Sequence, residues 1–285
     1  MSWVLHWLFP RWLRSGRVVV GLGVVVPVLV LAALGPLVAP HDPLAQDLML
    51  TLQPVRLGSS FPLGTDVLGR CVLSRLLHGA RLALFVAVAA SLAAMLLGTG
   101  LAYAAGYLGG WVDRAVGRVM DVWLAFPPVV LSLVLMMGLG SGSGSLILAI
   151  ALVEWTRFCR VMRAEVIGVV RREHVVAARL LGFSHWRILL REVVPATIPL
   201  LVALLALEMG IAVVVEAILS FIGLGAVPDE VAWGQMIAEG RDVLHQAPAV
   251  LLAPAAAIVV TVAGFNLLGD GLRRTQALRL VEGAR

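Results

Sequence analysis

Lysine is absent from this chain of 285 residues, and all 22 of its basic residues are arginine. Without lysine there is no G-x-x-x-x-G-K-[ST] loop, so the chain holds no P-loop nucleotide site. If ATP drives a process here, another subunit supplies the site. Charge is scarce too, at 14% of residues, roughly half the share of an ordinary soluble domain. Too few polar residues remain to cover a soluble surface, and a soluble enzyme is excluded. Cysteine occurs only at Cys71 and Cys159, with no spacing for a zinc site or a disulfide framework. The six histidines fall outside the predicted spans and no two have ligand spacing, so no metal site is expected.

What the chain has in quantity is apolar residues, 60% of the total, with a mean hydropathy of +0.98. Charge-free runs extend over Val18 to Pro40, Leu82 to Val112, Val122 to Val153 and Val243 to Gly269. About 20 such residues cross a bilayer as a helix. The pattern predicts an all-α integral membrane protein with six transmembrane helices, near 18–38, 82–106, 117–138, 146–162, 195–218 and 249–269. Pro127 and Pro128 should kink the third span. Ala, Gly and Ser in the second permit close helix packing.

Loop charges orient the spans. Arg11, Arg14 and Arg17 precede the first span. With Trp3, Trp7 and Trp12 they read as an interfacial N-terminus over 1–17 rather than a cleavable signal. Arg157 to Glu192 holds eight arginines and three glutamates, which places that loop inside. Asp229, Glu230, Glu239 and Asp242 face one Arg241 in the loop before the last span, which fits the outside. Arg273, Arg274, Arg279 and Arg285 put the tail, 273–285, inside. This bias accounts for the net charge of +5, and no nucleic-acid partner is expected.

Several segments are candidates for function. Between Glu173 and Arg179 the periodicity predicts a helix with Val175, Ala178, Leu181 and Gly182 near one face. Gly182 permits a turn, and a second short helix over 184–192 would lead into span five. A helix–Gly–helix element of this kind suits insertion into a partner's groove better than it suits a solvated linker. In the outer loop, 39–80, Gly64-Thr65-Asp66 predicts a capped turn and Gly69 begins another. That loop either offers an external partner a docking surface or plugs the outer vestibule. Gly223 and Gly225 allow a tight turn at the outer face. Glu208 and Glu216 lie in span five, with directions about 80° apart. Glu208 is a candidate for lining a translocation path. Glu216 is expected to bond backbone or an arginine. No continuous chain of titrating groups suggests a proton relay, and Met136, Met137 and Met209 suit packing.

The spacing of Ala177-Ala178-Arg179-x-x-Gly182, with Pro195 thirteen residues further on, resembles the EAA loop of ABC importer permeases. Glu173-x-x-x-Ala177-Ala178-Arg179-x-x-Gly182 is similar to the form found in the C-type permease of the dipeptide, oligopeptide and nickel family. Gly64-Thr65-Asp66-x-x-Gly69-Arg70 resembles that family's signature in the first outer loop. Leu219-Ser220-Phe221-Ile222-Gly223-Leu224-Gly225 with Trp233-Gly234, and Phe265-Asn266-Leu267-Leu268-Gly269-Asp270, match two further motifs in the same order. Cys71 stands where the family usually has Asp, Glu192 where His is common, and the tail lacks the usual Asp-Pro-Arg.

The resemblance implies the type I ABC importer permease fold in a bacterial cytoplasmic membrane, with a core domain over 81–272. Its coupling loop, 165–192, would seat in an ATPase subunit through Glu173, Ala177, Ala178, Arg179 and Gly182. It implies a homologous permease, two ATPase subunits carrying ATP and Mg, and an extracytoplasmic substrate-binding protein as partners. The chain itself would need no cofactor and perform no covalent chemistry. The implied cargo is a di- or oligopeptide, with nickel or a metal–chelator complex as the alternative. A stand-alone channel or carrier has no need of a charged docking element. A passive scaffold has no use for intramembrane carboxylates.

Overall fold

The computed structural model describes residues 15–225 and 229–282. The expected interfacial segment with Trp3, Trp7, Trp12, Arg11 and Arg14 lies outside the described residues, as does Arg285. Helices make up the fold, and the one extended pairing among the described residues is an antiparallel bridge between Thr65 and Cys71. "Outer" and "inner" below follow the orientation expected from loop charge.

The first helix, α1 (Gly16–Val38), packs on the flank of the bundle. Its remaining face exposes Val20, Leu29, Leu31 and Leu34, as a lipid-facing helix does. After the outer loop, α2 (Val72–Leu108) runs for 37 residues without a proline. It buries Ala83, Ala87, Ala90, Ala94, Gly98, Ala102 and Ala105 along one side. Such small residues let backbones approach closely, and α2 makes its longest contact with α5 (Ser143–Val170).

Between them the chain departs from expectation. One kinked span was predicted over 117–138. Two helices are found instead, α3 (Gly110–Leu124) and α4 (Pro128–Leu139), meeting at 88°. Consecutive prolines remove two backbone donors, and the residue before a proline is driven out of the helical region. Pro127 accordingly sits in an extended conformation, with ψ 128°.

On the inner side α6 (Glu173–Leu180) and α7 (His185–Ile188) form a bent pair. A π-helical turn over Leu189–Val193 then joins α7 to α8 (Val194–Phe221). The wider register falls where Pro195 cannot donate to the ladder. The short α9 (Trp233–Arg241) returns to the outer face, and α10 (Pro248–Glu282) closes the bundle against α8 and α1.

Four helical segments are long and apolar enough to cross a membrane, and five if the bent α3–α4 pair counts as one. α5 is as long as α8 but carries Glu154, Arg157, Arg160, Arg163 and Glu165. One apolar core fills the outer half around Val72, Leu84, Met136, Ile150, Leu219 and Trp233. A separate inner core gathers Val166, Val169, Val175, Ala178, Ile188 and Val193.

Candidate functional site: inner elbow, outer clamp and intramembrane carboxylates

The inner elbow begins at Glu173, whose carboxylate in the first turn of α6 complements the helix dipole. The helix ends in a glycine cap: the Gly182 N–H donates to the Arg179 carbonyl (3.0 Å) and the Phe183 N–H to the Ala178 carbonyl (3.2 Å). Gly182 takes φ +78°, a left-handed conformation that costs a side-chain-bearing residue about 1–2 kcal/mol. Ser184 then caps α7, accepting from the Arg187 N–H at 3.4 Å.

One side of the elbow is anchored. Val175 and Ala178 are buried in the inner core with Ile188 and Val193. The Arg179 guanidinium lies 5.1 Å from the Tyr107 ring centroid. The Tyr107 hydroxyl donates to the His185 carbonyl at 3.2 Å. Tyr103 is hydrogen-bonded to the Thr197 hydroxyl at 2.7 Å, at the start of α8. Nearby, outside the apolar stretches, Arg163 grips Asp113 through both oxygens, with Nη2–Oδ2 at 2.6 Å.

The other side is bare and apolar. Leu180, Leu181 and Trp186 are 85%, 74% and 73% exposed, with Leu190 beside them. Leu181 was expected on the face with Val175 and Ala178. The cap rotates it outward instead. Of the five residues singled out here, Glu173, Ala177, Arg179 and Gly182 are exposed and Ala178 is internal.

At the outer end the signature residues fold inward. The Thr65 hydroxyl donates to the Leu50 carbonyl and accepts from the Gln53 N–H at 2.8 Å. Asp66 Oδ1 accepts from the N–H groups of Leu68 (2.9 Å) and Arg70 (3.0 Å). Gly64 and Gly69 turn the chain, and a Cβ on Gly69 would collide with the Asp47 carbonyl. Thr65 and Asp66 are fully buried and Arg70 nearly so. These side chains therefore build the loop from within and leave its outer surface to their neighbours.

Asp66 also anchors a clamp. Arg70 Nε lies 2.7 Å from Asp66 Oδ2, and Arg75 Nη1 lies 2.5 Å from the same oxygen. Both arginines reach Glu239 on α9, at 2.7 and 2.6 Å. Two guanidiniums thus meet two carboxylates, with Arg75 Nε left unpartnered. The Trp233 indole N–H donates to the Leu76 carbonyl at 2.9 Å, a second tie between α9 and α2. Sequence reasoning singled out Asp66 and Arg70 but missed Arg75 and Glu239.

Within the bundle, Glu208 and Glu216 are both buried and stay apart. Glu216 accepts from the Ser220 hydroxyl at 2.7 Å, where backbone or an arginine was expected. Glu208 faces Arg157 of α5, with Glu154 beside that arginine. Glu154 and Arg157 were missed. An i,i+3 acid–base pair inside the predicted fourth span was the available signal.

Long apolar helices around a charged inner elbow and a closed outer loop define a multi-pass membrane protein. Residues 94–281 match the family model of the binding-protein-dependent transport system inner membrane component. Residues 3–54 match the N-terminal TM domain of oligopeptide transport permease C. The chain is 38% identical to a glutathione transport system permease protein of Pectobacterium atrosepticum, over 74% of this chain and 70% of that one. It is 35% identical to a dipeptide transport system permease protein of Alkalihalophilus pseudofirmus, over 74% and 69%. It is 37% identical to a nickel transport system permease protein of Escherichia coli, over 82% and 84%. The chain belongs to the peptide and nickel family of ABC importer permeases. It is a multi-pass protein of the bacterial inner membrane and a transport subunit.

Proposed function

We propose that the chain is the permease subunit of an ATP-driven importer of di- or oligopeptides. It crosses the membrane six times in the type I arrangement, α5 and the broken α3–α4 pair each supplying one crossing. The first span covers 18–38, the outer loop 39–80 and the core 81–272, followed by the inner tail. The cargo passes between this chain and a homologous permease. Two ATPase subunits carry ATP and Mg, and an external binding protein delivers the cargo. The chain itself holds no cofactor and catalyses no covalent step.

The observation that carries this reading is the elbow. Its buried side is fixed to α2, α5 and α8, and its free side presents Leu180, Leu181 and Trp186 to the inner medium. A contiguous apolar tip on a braced element suits a groove on a protein partner. Movement of the ATPase dimer is then passed to the spans as a shift between two states. Glu173, Ala177, Arg179 and Gly182 contribute the exposed contact, and Ala178 holds the helix to its own bundle. Gly64, Thr65, Asp66, Gly69 and Arg70 shape the outer loop on which the binding protein docks. Glu208 lines the path, while Glu216 steadies the turn near Ser220.

Peptide is preferred to nickel or a metal chelate on two grounds. Among the described residues no three His, Cys, Asp or Glu side chains converge as a metal would require. Relatives at 38% and 35% identity are named as glutathione and dipeptide permeases. The nickel permease at 37% keeps the alternative in place.

Gly182→Trp and Ala177→Glu test the coupling. Both should leave the chain inserted and abolish substrate-stimulated ATP hydrolysis in the reconstituted importer. Full stimulation in both would remove the elbow from the mechanism. Competitive uptake in a transporter-null host carrying the whole operon tests the cargo. Labelled dipeptide entry that excess nickel and chelator leave unchanged supports peptide import, and metal accumulation that peptides cannot compete away overturns it.

A further inference from the structure

Half-way along α5 and α8, three charged side chains meet inside the bundle. Arg157 Nε lies 3.1 Å from Glu154 Oε2, and Arg157 Nη1 lies 3.9 Å from Glu208 Oε1. Glu154 and Glu208 are 3% and 4% exposed, whereas the Arg157 side chain is 44% exposed. Glu154 Oε2 and Glu208 Oε2 have no hydrogen-bond partner, the first because its contact with Arg157 lacks bonding geometry. Two carboxylates thus share one guanidinium.

A charged side chain at mid-bilayer depth faces protein or a water-filled cavity, because lipid does not solvate it. The open side of Arg157 therefore does not look onto acyl chains. It borders a cleft at the break between α3 and α4. Glu154 and Arg157 form one wall, and Trp123, Phe126, Pro128 and Leu131 form the other. Trp123 is held in place by its indole N–H, which donates to the Leu152 carbonyl at 2.5 Å.

This chemistry selects an occupant. A buried acid with a free oxygen, one acid more than the base present, and two aromatic faces suit a cation. Aromatic faces attract ammonium and guanidinium groups. A bare divalent metal needs more oxygen, nitrogen or sulfur ligands than two carboxylates, and among the described residues no third such group joins them. We propose that Glu154, on the wall of this cleft, with Glu208 behind Arg157, forms a subsite on the translocation path for an organic cation: the ammonium or guanidinium group of the passing cargo. The assignment rests on the import function proposed above.

Charged thiol reagents read the subsite without any cargo. The assembled importer, with partner permease, ATPases and binding protein, is prepared with Cys71→Ala, Cys159→Ala and Phe126→Cys. Cationic and anionic methanethiosulfonates are compared, each normalised to its rate with a free thiol, with and without ATP. The cationic reagent should react at least about tenfold faster, as expected where a cleft focuses the field of buried carboxylates. Glu154→Gln and Glu208→Gln should each bring the ratio towards one, and Glu208→Asp should keep it. Equal rates in the parent, or a ratio unmoved by either Gln variant, would overturn the subsite. So would an introduced thiol that reacts with neither reagent in either nucleotide state, since the cleft would then be covered by the partner subunit or lipid. In uptake, the preference for a lysine-containing over a glutamate-containing dipeptide should fall several-fold in the Gln variants and not in Glu208→Asp. A parent importer that takes up no dipeptide defeats the peptide reading alone, and the labelling ratio still decides the subsite.

Discussion

Asp66, Arg70, Arg75 and Glu239 make a closed set at the outer end of the bundle, with two acids, two bases and ion contacts of 2.5–2.7 Å. Glu154, Arg157 and Glu208 use the same chemistry half-way through it, with two acids, one base and looser contacts of 3.1 and 3.9 Å. The first set joins segments far apart in the chain and leaves little charge unanswered. The second leaves Glu208 Oε2 with no partner and Glu154 Oε2 with an ion contact but no hydrogen bond. Buried charge that is fully paired holds a structure in one arrangement. The extra acid of the second set is what the proposed cargo cation would answer.

The contrast is sharpest when one partner is removed. Arg75→Met would leave Asp66 and Glu239 sharing Arg70 alone, two acids on one base, with Asp66 fully buried. Breaking a buried pair in this way costs about 3–5 kcal/mol. Thermal unfolding of the purified chain in detergent should show a large drop, and Arg75→Lys should recover only part of it, because one ammonium replaces a planar fork. An unchanged midpoint would mean that the clamp contributes no stability. Next in size is the double variant Arg75→Met with Glu239→Gln, which should cost less than the sum of its two singles by about 0.5–3 kcal/mol. Strict additivity would show that the two side chains do not act together.

In the triad the same kind of change should be mild. Glu208→Gln relieves one of two acids competing for Arg157, so stability should move by under about 1 kcal/mol in either direction. A loss as large as that of Arg75→Met would make the triad a structural lock like the clamp. Smallest of all is Glu216→Gln. The amide still accepts from Ser220 and keeps the side-chain shape while removing a buried acid. Neither the unfolding midpoint nor the labelling ratio of the Phe126→Cys importer should change measurably.

Local pattern made part of this legible. The glycine-capped elbow follows from Gly182 and the flanking periodicity, and the inward turn of the outer loop follows from Gly64-Thr65-Asp66 and Gly69. Other features lie beyond any local window. Glu239 is separated from Arg75 by 164 residues, so nothing near either one announces the clamp. Pro127-Pro128 signals an interruption, but a kink and an 88° break leave the same trace in composition. The outward face of Leu181 depends on where the helix stops, and periodicity continued through Gly182 puts that residue on the wrong side. Glu154 ends an uncharged run, where a boundary acid and a buried one read alike.

The length of α2 has a further consequence. Its 37 residues, at about 1.5 Å each, make a rod of roughly 55 Å, well beyond the hydrocarbon thickness of a bilayer. Arg75 and the Trp233 tie sit at its outer end, and Tyr103 and Tyr107, which brace the elbow, sit at the other. No proline interrupts it. If the binding protein docks at one face and the ATPase seats at the other, as proposed above, both act on the two tips of one unbroken helix.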